Sequence, residues 1–76
     1  MYTQTDLAMD LEKTLTNGFD IFRISKTAFH IYQEHGLELT EPMDHVLLTL
    51  MAMAEGPEFE LTEPEFVALI TEIKAM

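Results

Sequence analysis

The pentapeptide ELTEP occurs twice in the chain, at residues 38–42 and again at residues 60–64. In the second copy, Thr62 and Glu65 have the spacing of a capping box, in which each side chain binds a backbone N–H of the other residue. Pro64 falls in the first helical turn, where its missing N–H leaves no hydrogen bond unmade. The pentapeptide therefore predicts the start of a helix, and the chain uses it twice.

Apolar residues at helical spacing follow each copy. They predict helices near residues 41–54 and 63–75, with the first of the two ending at the stop signal Glu55-Gly56-Pro57. The second copy of ELTEP begins 22 residues after the first, and the residues before each copy are also alike. We therefore expect these last two helices to form a quasi-repeat.

The first half of the chain predicts two more helices. A leucine stripe indicates a helix near residues 5–16, with Thr5 as its N-cap. A second pattern, rich in phenylalanine and isoleucine, indicates a helix near residues 19–35, after which Gly36 is free to take a left-handed C-cap conformation. Asn17-Gly18 is a strong stop signal between them, although a single kinked helix is the alternative.

Length and composition limit the fold to one domain. A chain of 76 residues supports a single small core, and the absence of cysteine removes disulfides as a source of stability. The hydrophobic fraction of 47% is ample for a folded protein. We expect residues 1–76 to form one all-α domain, a compact bundle of about four short helices.

Net charge is the strongest compositional feature. Fourteen acidic side chains oppose four basic ones, for a formal net charge of −10. Residues 34–76 hold ten of the acids and a single base, so the negative charge is concentrated in the second half. Such charge repels phosphate backbones and anionic lipids, which argues against direct nucleic-acid or membrane binding and favours a basic protein partner.

The acidic segment between the last two predicted helices is the candidate partner-binding face. Five glutamates surround one phenylalanine there, and the six residues are Glu55, Glu58, Phe59, Glu60, Glu63 and Glu65. Phe59 could supply the apolar anchor that tight binding needs inside a charged rim. This size and charge are typical of DNA-mimic proteins and phage-encoded inhibitors of host defence. We therefore predict a small interaction module that inhibits or regulates a partner by occupying its basic, nucleic-acid-binding surface.

An apolar helix face offers an alternative function. The predicted helix 41–54 is apolar over most of its circumference, because Leu48 and Met53 fall outside its main stripe. Such a helix is either central in a bundle or shared with another subunit. Leu48, Met51 and Met53 would then form the interface of a structural or assembly homodimer, or of an antitoxin-like subunit.

No pattern in the sequence predicts catalysis or a bound cofactor. No nucleophile pairs with a base at a recognisable spacing, and three glycines form no phosphate loop. His30 and Glu34 could share a cation, but His35 points to a different helix face. The acidic segment lacks the short, alternating ligands of a calcium loop. We expect no enzyme activity, no metal and no cofactor.

The sequence also predicts a cytoplasmic location. The first residues have neither the basic nor the apolar region of a signal peptide. The longest strongly apolar run, residues 46–54, is far shorter than the roughly 20 residues that cross a bilayer.

Overall fold

Four α-helices account for most of the chain in the computed structural model, which describes all 76 residues and contains no strand. The helices are α1 Gln4–Lys13, α2 Ile21–His35, α3 Glu41–Ala52 and α4 Glu63–Lys74. Single 3-10 turns lie at Gly36–Glu38, Met53–Glu55 and Pro57–Phe59. The radius of gyration is 11.3 Å, close to the roughly 11 Å expected of a compact chain of this length. The predicted all-α bundle of four short helices is thus confirmed.

Both copies of ELTEP start a helix, as predicted. Thr62 is the N-cap of α4, where its Oγ1 accepts the Glu65 N–H at 3.4 Å while Glu65 Oε1 accepts the Thr62 N–H at 2.8 Å. Thr40 is the N-cap of α3 and accepts the Met43 N–H at 3.4 Å. Each proline lies in the first turn of its helix.

The first helix begins at Gln4, one residue before the predicted range, and its N-cap is Thr3 rather than Thr5. Thr3 and Asp6 form a capping box, in which Asp6 Oδ2 accepts the Thr3 N–H at 3.0 Å and Thr3 Oγ1 accepts the Asp6 N–H at 3.2 Å. The residue three positions after Thr5 is Ala8, which has no acceptor to offer. Thr3 therefore satisfies two backbone donors where Thr5 would satisfy one.

The stop signal Asn17-Gly18 does separate α1 from α2, so the chain does not form one kinked helix. The last residues of the predicted first helix instead form a turn, in which the Thr14 hydroxyl donates to the Leu11 carbonyl at 2.6 Å. Gly18 has a φ of +99°, a conformation that favours glycine. Asp20 then caps α2 by accepting the backbone N–H groups of Phe22 and Arg23.

Gly36 does not take the left-handed conformation predicted for it. Its φ of −51° and ψ of −37° are right-handed helical values, and the chain continues into the 3-10 turn Gly36–Glu38. In this turn the Glu38 carboxylate accepts the Tyr2 N–H at 2.8 Å, a contact that stabilises the right-handed conformation. A left-handed glycine would redirect the chain away from that contact.

All four helices contribute side chains to one hydrophobic core. α1 packs chiefly against α4, and α2 packs chiefly against α3. Phe66 of α4 is completely buried, and its ring lies 6.0 Å from that of Phe19. An ion pair of 2.9 Å between Lys74 Nζ and Glu12 Oε2 joins α4 to α1 at the surface.

The segment before α1 is held by side chains from α1, α2 and the following 3-10 turn. The Tyr2 ring stacks on His35 with 4.2 Å between ring centroids, and the Tyr2 hydroxyl donates to Asp10 at 2.6 Å. Burial and the neighbouring Asp10 carboxylate raise the pKa of the Tyr2 hydroxyl well above its ordinary value. At neutral pH, Tyr2 is therefore a neutral hydrogen-bond donor to Asp10. No helix is both long and apolar enough to cross a membrane.

Candidate protein-binding site

The acidic segment, residues 55–65, connects α3 to α4 through two 3-10 turns. All six side chains that the sequence singled out there are exposed, and Phe59 is 48% exposed. None of the five glutamates forms an ion pair. Their charges are therefore uncompensated within the chain and face solvent beside an exposed aromatic ring.

Glu65 differs from the other glutamates of the acidic segment. Its Oε1 accepts the Thr62 backbone N–H and the Thr62 hydroxyl, at 2.8 and 3.1 Å. The bond from the Thr62 backbone, followed by that from its hydroxyl, lowers the pKa of the Glu65 carboxyl. Glu65 is thus committed to starting α4, whereas the side chains of Glu55, Glu58, Glu60 and Glu63 make no hydrogen bond within the chain.

An apolar groove of about 650 Å³ lies between α2 and α3 and reaches the acidic segment at Glu55. Its large apolar side chains are Phe22, Phe29 and Leu48, which are 71%, 50% and 46% exposed, and the half-buried Met51. Phe22 and Phe29 lie seven residues apart on α2, so the groove runs along about two helical turns, or roughly 10 Å.

Smaller and polar side chains complete the groove. Ser25 lies buried between the phenylalanines, and its hydroxyl donates to the Phe22 carbonyl at 3.1 Å. Ala52 and Ala54 line the α3 side. The one basic side chain in the groove is that of Lys26, on α2, and it forms no ion pair. The interior of the groove therefore offers apolar surface, with a positive charge on one wall and the negative charge of Glu55 on the other.

Met53 does not belong to this surface, although the sequence suggested it as part of an apolar interface with Leu48 and Met51. It is 1% exposed, and its sulfur accepts the Leu61 N–H at 3.3 Å. α3 ends at Ala52, and the 3-10 turn that follows directs Met53 into the chain's own core. Leu48 and Met51 do line the groove.

The aromatic half of the groove was not recognised in the sequence. Phe22 and Phe29 belong to a broad apolar pattern on α2, but the buried face of that helix is formed by Ile24, Ala28 and Ile31. The usable signal is the pair of small residues Ser25 and Ala28, which permits close packing on one face. The rings of Phe22 and Phe29 lie at the edges of this packed face, where they are exposed.

The free positive charge lies on α2, across the groove from the acidic segment. Lys13 and Lys74 are each within 4 Å of a carboxylate oxygen on α1, whereas Arg23 and Lys26 of α2 have no ion-pair partner. The exposed side of α2 therefore carries positive charge next to the phenylalanines. The molecule has an electrostatic asymmetry across the groove in addition to its large net negative charge.

His30 and His35 lie beside carboxylates, and the single serine is bonded within its own helix. His30 Nε2 lies 3.1 Å from Glu34, and His35 Nδ1 lies 3.1 Å from Glu38. No group of three or more His, Asp or Glu side chains is placed to hold a metal ion. Ser25 is buried and already donates its hydroxyl within α2.

Comparison with models of known protein families yields no match, and comparisons with curated protein sequences and with solved structures yield none either.

Proposed function

We propose that this chain is a small protein-interaction module that inhibits or regulates a partner by occupying the partner's basic, nucleic-acid-binding surface. The observation that carries the proposal is the group of unpaired carboxylates of Glu55, Glu58, Glu60 and Glu63 around the exposed ring of Phe59. In such a complex the carboxylates stand in for phosphates, as in DNA-mimic inhibitors. We place the module in the cytoplasm.

Charge and apolar surface have separate roles in this function. Uncompensated carboxylates at one end of the bundle attract a basic surface over several ångströms and raise the rate of encounter. Exposed charge pairs add little affinity by themselves, because water and salt screen them. Phe59 and the neighbouring groove supply the apolar contact that a lasting complex requires.

The exposed groove also supports a second candidate function, an assembly subunit that pairs through Leu48 and Met51. Such a homodimer would bury apolar surface that monomeric proteins seldom leave open. It would also bring two chains of net charge −10 together, which opposes association at low salt. We therefore favour the basic partner.

Recovery of a partner from the native cell lysate, with elution in a salt gradient, tests the proposed function. The wild-type chain is compared with the variant E58Q/E60Q/E63Q. The control E41Q/D44N/E72Q loses the same number of charges at the opposite end of the bundle, where Glu41 and Glu72 line a common cleft. The acidic-segment variant removes one carboxylate from a first helical turn, that of Glu63, and the control removes two, those of Glu41 and Asp44. Thermal unfolding therefore checks that both variants are folded before binding is compared.

The proposal expects one basic, nucleic-acid-binding protein to elute from the wild type at moderate salt. The acidic-segment variant should bind it on the order of tenfold more weakly, and the control should retain it. If both variants lost the same amount of affinity, binding would depend on the net charge of the chain and not on the acidic segment. Recovery of the chain's own untagged copy alone would instead support the homodimer.

A further inference from the structure

We infer that the groove between α2 and α3 binds an amphipathic helix of the partner, with a basic side that extends over the acidic segment. This inference rests on the proposed function and specifies which element of the basic partner is recognised. Its basis is the direct continuity between an apolar groove and a group of unpaired carboxylates, since Glu55 belongs to both.

The shape of the groove favours a helix over an extended peptide. Its walls are two helices whose backbone N–H and C=O groups bond within each helix, and the chain contains no strand whose edge could accept another strand. The large apolar side chains on α2 are Phe22 and Phe29, separated by two helical turns. A partner helix with apolar residues at i, i+3 or i+4, and i+7 spans the same length of roughly 10 Å.

The charges select the partner and its orientation. The α3 wall continues into Glu55, Glu58 and Glu60, none of which has an ion-pair partner, so basic side chains are favoured on that side of the bound helix. Lys26 on the α2 wall favours a neutral or acidic side chain on the other side. A second copy of this chain fits less well, because its net charge of −10 equals that of the first.

The apolar interior of the groove is compatible with an apolar anchor. The Ser25 hydroxyl already donates to the Phe22 carbonyl, and no buried side-chain nitrogen or oxygen in the protein lacks a hydrogen-bond partner. An inserted leucine or phenylalanine would thus displace water from apolar surface without leaving a polar group unsatisfied.

Synthetic peptides of about 18 residues, or five helical turns, provide the test. The probe places leucines on one helix face and lysines elsewhere. One comparison peptide has the same composition with its leucines distributed around the helix, and a second replaces the lysines by glutamates. Dissociation constants are measured by fluorescence anisotropy, and the binding site is mapped from backbone amide shifts in NMR.

The matched protein variants are F29S and L37S. Each removes an exposed apolar side chain, but Leu37 lies outside the groove. Because Phe29 is half exposed, F29S should fold, and thermal unfolding checks this. The expected result is that the amphipathic lysine peptide binds at least tenfold more tightly than either comparison peptide. Its amide shifts should lie on α2 and α3, and F29S but not L37S should weaken binding about tenfold.

Other outcomes separate the inference from the proposed function. Equal binding of both lysine peptides, unaffected by F29S but lost in E58Q/E60Q/E63Q, would overturn the groove as a helix site and leave the acidic surface in place. If no peptide bound while the native partner was still recovered in a salt-sensitive manner, the groove would likewise be overturned as a helix site and the acidic surface would stand. A wild-type dimer that dissociates in F29S, measured by sedimentation equilibrium, would assign the groove to a second copy.

Discussion

The two copies of ELTEP start helices of the same length, yet they use different interactions to do so. In the second copy the residue three positions after the threonine is Glu65, which completes a capping box. In the first copy that residue is Met43, which is buried in the core. The Thr40 hydroxyl accepts the Met43 N–H, but Met43 has no side-chain oxygen to accept the Thr40 N–H in return. The same five letters therefore specify where a helix starts, while the next residue decides whether the start is secured by hydrogen bonds or by packing.

The first glutamate of each copy differs as well. Glu38 accepts the Tyr2 N–H at 2.8 Å and a hydrogen bond from His35 Nδ1 at 3.1 Å, so it holds the start of the chain against α2. Glu60, its equivalent, has no such partner and is exposed. One glutamate contributes to the fold, and the other remains available for binding. The same residue of a repeated sequence is thus engaged in the fold in one copy and left exposed in the other, through its surroundings alone.

Truncation of the buried residue that follows each copy should have the largest effect. We expect Phe66→Ala to lower the free energy of unfolding by about 3–5 kcal/mol, and Met43→Ala by about 2–4 kcal/mol, because both leave cavities. Urea unfolding followed by circular dichroism measures this. Since the first variant could unfold a chain this small, Phe66→Leu, with an expected loss of about 1–2 kcal/mol, provides a second measurement. A loss below 1 kcal/mol in F66A would contradict the core position of this ring.

Removal of each threonine cap should distinguish the two starts more finely. Thr62→Ala removes a hydroxyl that accepts the Glu65 N–H and donates to Glu65 Oε1, and it is expected to cost about 1–2 kcal/mol. Thr40→Ala removes a hydroxyl that makes one such bond, to the Met43 N–H, and should cost about 0.5–1 kcal/mol. The controls Thr71→Ala and Thr49→Ala remove exposed hydroxyls within the same two helices and should change stability by less than about 0.5 kcal/mol. Equal costs at residues 40 and 62 would remove the distinction between the two starts.

Acidification should affect the two copies through different glutamates. Hydrogen bonds lower the pKa of Glu65, which directly follows the second copy, and of Glu38 in the first, the latter mainly through His35 and then through the Tyr2 N–H. A folded pKa below the unfolded one gives stability that is present above about pH 4.5, and that stability is lost as the pH falls through the folded pKa. Urea midpoints measured from pH 6 to pH 3 should therefore fall.

Matched variants assign this pH dependence to residues. E65Q and E38Q should each flatten the fall in urea midpoint, because the amide has no proton to gain. E60Q, which alters a glutamate with no internal partner, should reproduce the wild-type slope. A slope flattened as much in E60Q as in E65Q and E38Q would contradict the assignment of the acid sensitivity to the two hydrogen-bonded glutamates.

The glycines that precede the two copies should give the smallest difference. Gly36→Ala is expected to raise stability by about 0.4–1 kcal/mol, since its backbone is right-handed helical and an added Cβ meets no atom within 4 Å. At Gly56 the same change brings the Cβ within 3.0 Å of the flexible Glu58 carboxylate, which must move. Thermal unfolding should show a gain only at residue 36. A loss of stability in Gly36→Ala would contradict the right-handed helical backbone and the open space at this position.

The fold was largely predictable where local chemistry dictates it. Thr62, Pro64 and the apolar spacing after them specify α4 without reference to the rest of the chain. The N-cap of α1 was missed because Thr3 and Thr5 both precede the leucine stripe, and only the acidic residue three positions later distinguishes them. That signal was present in Asp6, whose shorter side chain can also close a capping box.

The proposed binding surface was less predictable, because the burial of a side chain depends on how the helices are oriented in the bundle. The exposure of the acidic segment followed from its charge. The positions of Phe29 and Met53 did not follow from periodicity: Phe29 lies beside the packed face of α2, and Met53 is turned inward when α3 gives way to a 3-10 turn. A helical projection that continues past the true end of a helix assigns such residues to the wrong side.

The packing of α1 against α4 has a consequence for the order of folding. Glu12 and Lys74, which join these helices, are 62 positions apart in the sequence, whereas five residues connect α2 to α3. Because the entropy lost in closing a loop grows with its length, the α2–α3 hairpin can assemble before the outer pair docks. We expect the amide protons of α1 and α4 to exchange with solvent with a lower free energy of opening than those of α2 and α3. The groove between α2 and α3 would then persist while α1 and α4 open.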